Sequence, residues 1–203
     1  MKLTDDVILL GHSWGGGLIC AYMLEKNPKG IKSLILESPY LSSTFFINDA
    51  KENLSRLPES VIKTIEKCEK NEDYGQEFFM AYLEYIKSYM CLMNPIPDSL
   101  KEGMQQLMTS NVYSTMWGTS ELSVNGKLKN FELYPDLNKI TVPVLLISGD
   151  RDEITVKTMK DYQLSFHNAQ LAVIPNTSHM NHLEKPDLFK AIVRGFLTEI
   201  GIK

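Results

Sequence analysis

The sequence predicts an α/β protein in which a parallel sheet is interrupted by a long helical insertion. Three observations predict it. Two short apolar runs, "VILLG" (7–11) and "SLILES" (33–38), flank a helical stretch. A third run, Val144 to Ser148, and a fourth, "AQLAVIP", recur toward the C-terminus, each leading into a polar loop. Residues 40–138, between them, carry helical periodicities. Apolar runs without alternation suit strands buried on both faces, and strand–helix–strand order makes neighbouring strands parallel.

The bulk numbers set the frame. A chain of 203 residues can bury one core, with a subdomain attached. Its composition, 43% hydrophobic and 23% charged, excludes a disordered or fibrous class. The net charge of −4 is spread along the chain, and no basic stretch marks a nucleic-acid partner. Cys20, Cys68 and Cys91 are widely spaced and form no CxxC pair, so they read as thiols of a reducing compartment. "MKLTDD" leads straight into the first strand without a signal peptide, and no apolar stretch has membrane length. The expectation is a cytoplasmic protein with no membrane or nucleic-acid partner. No His, Cys and carboxylate cluster has ligand spacing, so neither metal nor cofactor is expected.

Three zones follow in order. In residues 1–39, "VILLG" is a strand. "GLICAYMLEKNP" is a helix with Leu18, Cys20, Ala21 and Tyr22 as its apolar side, and "SLILES" is the next strand. In residues 40–138, Pro58 opens a helix in which Val61, Ile62, Ile65 and Cys68 recur at helical spacing. "EFFMAYLEYIKSYMCLM" presents Phe78, Phe79, Tyr82, Leu83, Ile86, Tyr89 and Met90 on one face, and "DSLKEGMQQLM" is a further helix. In residues 139–203, the strand from Val144 precedes a helix over 155–166. "AQLAVIP" is the next strand, and the last helix spans 185–200.

The chemistry concentrates at the ends of these strands. "G-H-S-W-G" (11–15) is a G-x-S-x-G turn between a strand and a helix. That context exposes the Ser13 hydroxyl at a helix N-terminus, and Gly11 and Gly15 let the chain turn without a Cβ clash. The Trp14 N–H is then one oxyanion donor. A serine nucleophile needs a base, and the base needs an orienting acid, in the order Ser, acid, His for this architecture. His12 is too close in sequence to serve Ser13, and His167 lies in a helix–strand connection. His179 and His182 remain for the base, both in the loop after the fourth strand. Asp150 and Asp152 of "GDRD" are the acids offered, with Glu37 a lesser one. Each alone reads also as a solvated loop residue, the favoured reading for His182 and Asp150; the ordered combination carries the catalytic reading.

The elbow "LLGHSWGG", the stretch "NVYSTMWGTSEL…NGKLKNF", and the loops "SGDRDEIT" and "PNTSHMNHLEKP" together resemble the proline iminopeptidases of the α/β-hydrolase fold. The resemblance runs over essentially the whole chain and is strongest after residue 110. It implies an α/β-hydrolase core over 1–39 and 139–203, a helical cap over 40–138, and no cofactor or metal. It places the nucleophile on Ser13, the acid on Asp152 and the base on His179. Two carboxylates that hold the free amine of the substrate fall on Glu121 and Glu153. A free α-amine is largely protonated at neutral pH, so a carboxylate pair selects peptide N-termini over internal segments.

The resemblance also implies a shortened sheet. In that fold the elbow follows the fifth strand, whereas here it follows the first, a difference on the order of 90 residues at βαβ dimensions. No HGGPG-type stretch, the family's source of a second oxyanion donor, occurs in the sequence. The edge of "VILLG" would then be open to self-association or to a separate N-terminal segment. The expected function is a serine aminopeptidase releasing proline, or another small or apolar residue, from the N-terminus of short peptides, weak or inactive as this chain alone. A carboxylesterase or lipase-like hydrolase and a non-catalytic remnant are the alternatives.

Overall fold

The computed structural model describes residues 6–120 and 122–202. The chain opens with β1 (Val7–His12), α1 (Trp14–Lys26) and β2 (Ile31–Glu37). The insertion carries α2 (Ser43–Leu54), α3 (Glu59–Lys70), α4 (Gln76–Tyr85), α5 (Asp98–Met108) and α6 (Asn111–Met116). It closes through short 3₁₀ turns at Lys127–Asn130 and Tyr134–Lys139. The chain ends with β3 (Val144–Gly149), α7 (Val156–Ser165), β4 (Ala169–Ile174), α8 (Asn181–Glu184) and α9 (Pro186–Glu199). The four strands form one parallel sheet in the order β1-β2-β3-β4. Strands predicted from apolar runs are therefore present, and the insertion falls between β2 and β3.

Side-chain alternation divides the core into two layers. Leu34, Leu36, Val144 and Leu146 point to one face and pack with Cys20 and Met23 of α1, Met159 and Tyr162 of α7, and the insertion. Ile35, Leu145 and Ile147 point to the other face and meet Ile174 and Phe196, which belongs to α9. Both faces of β2 and β3 are covered, which is why their sequences are continuously apolar. At β1 the expectation of double burial fails. This strand is an edge among the described residues, and Leu10 is 53% exposed. Leu10 shares the face of α9, but that helix lies against β4.

The buried side of α1 also differs from the expected one. Leu18 and Tyr22 are 58% and 46% exposed, and the helix buries Gly16, Gly17, Cys20 and Met23. The reason is close approach: a Cβ on Gly16 would lie 2.7 Å from Pro39 Cβ. The glycine edge is inside because only it fits there. On α4, Phe79 is exposed, while Phe78, Ala81, Tyr82 and Tyr85 turn inward.

Helix α2 was not legible as an apolar pattern because three of its buried positions are polar, Ser43, Asp49 and Asn53. The Ser42 hydroxyl caps it by accepting the Phe45 N–H at 3.0 Å. The insertion leaves and returns through a narrow neck. The Ser43 N–H donates to the Phe131 carbonyl at 2.8 Å, and the Leu133 N–H to the Leu41 carbonyl at 2.9 Å.

Of the two glycines expected to free the turn, only Gly11 is sterically required. A Cβ there would lie 2.6 Å from the Gly15 carbonyl carbon and oxygen, whereas one on Gly15 meets open space. Gly11→Ala is therefore expected to destabilise the fold by about 1–3 kcal/mol, the usual range for overpacking. Gly15→Ala, early in α1, should leave stability unchanged or raise it. Urea midpoints at constant slope read both; equal losses would contradict the steric account.

Candidate active site

Ser13 sits between the end of β1 and the start of α1, in an uncommon backbone conformation with φ 53° and ψ −122°. A positive φ in a residue with a Cβ is strained, and only a surrounding framework holds it. That framework is visible. The Ser13 N–H donates to the Glu37 carbonyl at 2.9 Å, and its carbonyl accepts from Gly16 (3.0 Å) and Tyr40 (3.1 Å). The Ser13 hydroxyl makes no hydrogen bond with any described residue. The N–H of Trp14, first in α1, has no acceptor within the helix and faces the N-terminal end of the dipole.

Asp152 and His179 meet across two loops. The Asp152 carboxylate, 3% exposed, follows β3, and His179, 2% exposed, follows β4. His179 Nδ1 lies 2.9 Å from Asp152 Oδ1, which also accepts the Ile154 N–H at 3.1 Å. Asp152 Oδ2 accepts from the Ser38 hydroxyl, from Ser148 Oγ at 3.2 Å and from the Gly149 N–H at 3.3 Å. Burial pushes this carboxyl upward, but His179 and the hydrogen bonds from Ser38 and Ile154 hold it below the usual carboxylate range. The His179 carbonyl accepts from His12 Nε2 at 3.0 Å, and the two rings lie 4.5 Å apart. The histidine loop is thus docked on the residue that precedes Ser13.

The other face of the imidazole meets a second carboxylate. His179 Nε2 lies 3.3 Å from Glu153 Oε1, and Glu153 is 2% exposed. Burial alone would lower the His179 pKa. The charges of Glu153 and Asp152, with the Asp152 hydrogen bond, outweigh it and raise the pKa to about 9. His12 behaves in the opposite sense: burial, and then the neighbouring His179, lower its pKa to about 3, so its ring stays neutral.

Residues 3–186 match the alpha/beta hydrolase fold family. The proline iminopeptidase of Heyndrickxia coagulans is 37% identical over 197 residues, which are 97% of this chain and 68% of that protein. This chain belongs to the proline iminopeptidase family. Among solved structures, the proline iminopeptidase of Mycobacterium smegmatis superposes with a TM-score of 0.86 at 30% identity, over 95% of this chain and 65% of that one. The structure of VinJ superposes with a TM-score of 0.90 at 27% identity, over 97% and 67%. The chain thus spans about two thirds of the length of these relatives. Among the described residues, no helix is long and apolar enough to cross a membrane.

Within this proline iminopeptidase framework, the open choices of the sequence resolve by contact. Asp152, not Asp150, meets the histidine; Asp150 is exposed and accepts only the Thr177 N–H, at 3.3 Å. His182 meets Glu37 instead, with Nδ1 2.8 Å from Oε1. Glu121 lies outside the described residues. Several supporting residues carried no sequence signal. Asn53 Nδ2 donates to the Asp152 and Glu153 carbonyls at 3.3 and 3.1 Å, fixing the acid loop to α2. Asp49 accepts the Thr155 N–H and both hydroxyls of Thr155 and Thr158, tying α2 to the start of α7. Glu184 accepts from the Ser178 N–H and hydroxyl and from the Leu92 N–H, each at 2.6 Å, and so braces the histidine loop. Polar residues on apolar-patterned or loop segments would have been the only hint.

Proposed function

We propose that this chain carries the machinery of a serine aminopeptidase, weak or inactive as this chain alone, that releases N-terminal proline or another small or apolar residue from short peptides through an acyl-enzyme. The carrying observation is the Asp152–His179 pair docked on the residue that precedes a strained, backbone-fixed Ser13. Ser13 Oγ attacks the scissile carbonyl while His179 Nε2 takes its proton. The same proton then goes to the departing amine as the C–N bond breaks. Water repeats the sequence to release the free residue. Asp152 holds the imidazole tautomer, and the Trp14 N–H donates to the developing oxyanion. Glu153, with Glu121, holds the substrate's ammonium.

The contact between Glu153 and His179 gives this reading a pH signature. A general base must be neutral, and the free chain keeps His179 protonated up to about pH 9. The expected kcat/KM therefore rises with pH through that region for N-blocked esters, whereas for proline arylamide it is cut off as the substrate amine loses its proton near pH 8. Glu153→Gln removes the foremost upward contribution, so the rising limb should move to lower pH. The same variant should raise KM for free-amine substrates and spare N-blocked short-chain esters, because it loses binding while the acylation groups stay. A panel of proline, alanine and leucine arylamides beside blocked esters measures both. An unmoved limb, or equal damage to blocked and free-amine substrates, would overturn the role of Glu153. Preference for the blocked esters in the parent chain would favour an esterase. The exposed Leu10 on the edge strand β1 supports association at that edge.

A further inference from the structure

One cluster of ligating groups takes no chemical step in that reaction. His12 ends β1, Glu37 ends β2 and His182 lies in α8. One ligating atom from each lies within 4.8 Å of the other two. The sequence positions 12, 37 and 182 share no ligand spacing, and the parallel sheet alone brings the first two side by side: His12 pairs with Glu37 in the β1–β2 register.

We propose that His12, Glu37 and His182 form a binding site for a divalent transition cation of the zinc type. The donor set is two imidazoles and one carboxylate, which suits a borderline ion better than a hard one such as magnesium. Ligand atoms about 2.0–2.2 Å from one zinc ion stand roughly 3.3–3.6 Å apart in a tetrahedron, and the set brackets that value. Glu37 Oε1 and His182 Nδ1, hydrogen-bonded at 2.8 Å, would open to admit the ion, and the His12 ligand would close from within 4.8 Å. The supporting contacts fit as well. His12 Nε2 must be its protonated nitrogen, because its partner is the His179 carbonyl at 3.0 Å. Nδ1 of the neutral ring then keeps its lone pair. A ring N–H donated to a backbone carbonyl is the usual outer support of a metal-bound histidine. Glu37 is 2% exposed while His182 is half-exposed, so the site has a fixed floor and an accessible mouth.

The ion would sit beside the histidine loop, since the His12 and His179 rings are 4.5 Å apart. An ion held only by the folded chain should therefore stabilise the fold.

The test titrates the full 203-residue chain with zinc alone by calorimetry, and with cobalt(II) by visible absorption. One equivalent should bind, with a cobalt ligand-field band. Both His182→Asn and Glu37→Gln should weaken binding by more than about tenfold, the smaller loss seen even for outer-shell partners. Two variants guard against one that fails to fold, and circular dichroism identifies such a case. Stoichiometric binding undiminished in both folded variants, or no binding, would overturn the site. Zinc should also raise the unfolding midpoint of the parent chain, with recovery on adding a chelator, and raise it less in each variant.

Discussion

Ser13→Ala should remove whatever hydrolysis of proline arylamide this chain performs; nucleophile removal in subtilisin costs on the order of 10⁶ in kcat. Stability should stay within about 0.5 kcal/mol, as for substitutions away from packing and hydrogen-bond networks. The two expectations separate because of where the strain lies. The positive φ at Ser13 is held by backbone hydrogen bonds from its N–H and to its carbonyl, and alanine keeps all of them. Both residues carry a Cβ, so the steric cost is the same. The hydroxyl makes no hydrogen bond with a described residue, so none is lost. Nucleophilicity can be read without turnover. A fluorophosphonate should label the parent chain at Ser13, located by mass spectrometry, and should not label the variant. Turnover surviving in Ser13→Ala, or a label on another residue, would remove Ser13 from the mechanism.

Asp152→Asn should cost about 10⁴ in kcat, the magnitude of the corresponding change in a serine-protease triad. Unlike the serine change, it should also destabilise. Every position open to the new amide group meets donors. At Oδ2 it faces the Ser38 and Ser148 hydroxyls and the Gly149 N–H; at Oδ1 it faces the Ile154 N–H and His179 Nδ1. One donor is left buried against another, at about 1–3 kcal/mol. The pH dependence has a sign. Asp152 is held below the usual carboxylate range, so its contribution is full above its unfolded pKa and disappears as pH falls through the folded one. Asp152→Asn should therefore show a shallower loss of stability on acidification. Asp150→Asn should do little in either assay, because that side chain is exposed and accepts a single N–H. If Asp150→Asn were the worse lesion in kcat, the acid assignment would fall.

The candidate site was legible in uneven measure. Ser13 was readable because a nucleophile turn needs glycine and a strand–helix switch, both local in sequence. The pair of loops carrying Asp152 and His179 was readable as an ordered set. The preference for Asp152 over Asp150, and for His179 over His182, had no local pattern to fix it, because nearby loop residues differ only in which way their side chains turn. The resemblance to proline iminopeptidases selected Asp152 and His179, and the fold brings those two together at 2.9 Å. Asn53, Asp49 and Glu184 had no signal at all, since a buried polar residue is recognised by its partners and those lie far away in sequence.

The sequence by itself determined the α/β class, the strands, the helical insertion and the position of the turn at Ser13. These follow from patterns with short periods, where a residue's neighbours in the chain are its neighbours in space. Only the tertiary structure decided what depends on contacts between distant segments. It turned Gly16 and Gly17 inward on α1 in place of Leu18 and Tyr22, because close backbone approach outranks side-chain size there. It left Leu10 exposed on an edge strand. It set the Glu153 carboxylate against the His179 ring, 3.3 Å apart, a contact that no spacing along the chain announces. It also gathered His12, Glu37 and His182, for strand register places residues side by side that no spacing along the chain relates.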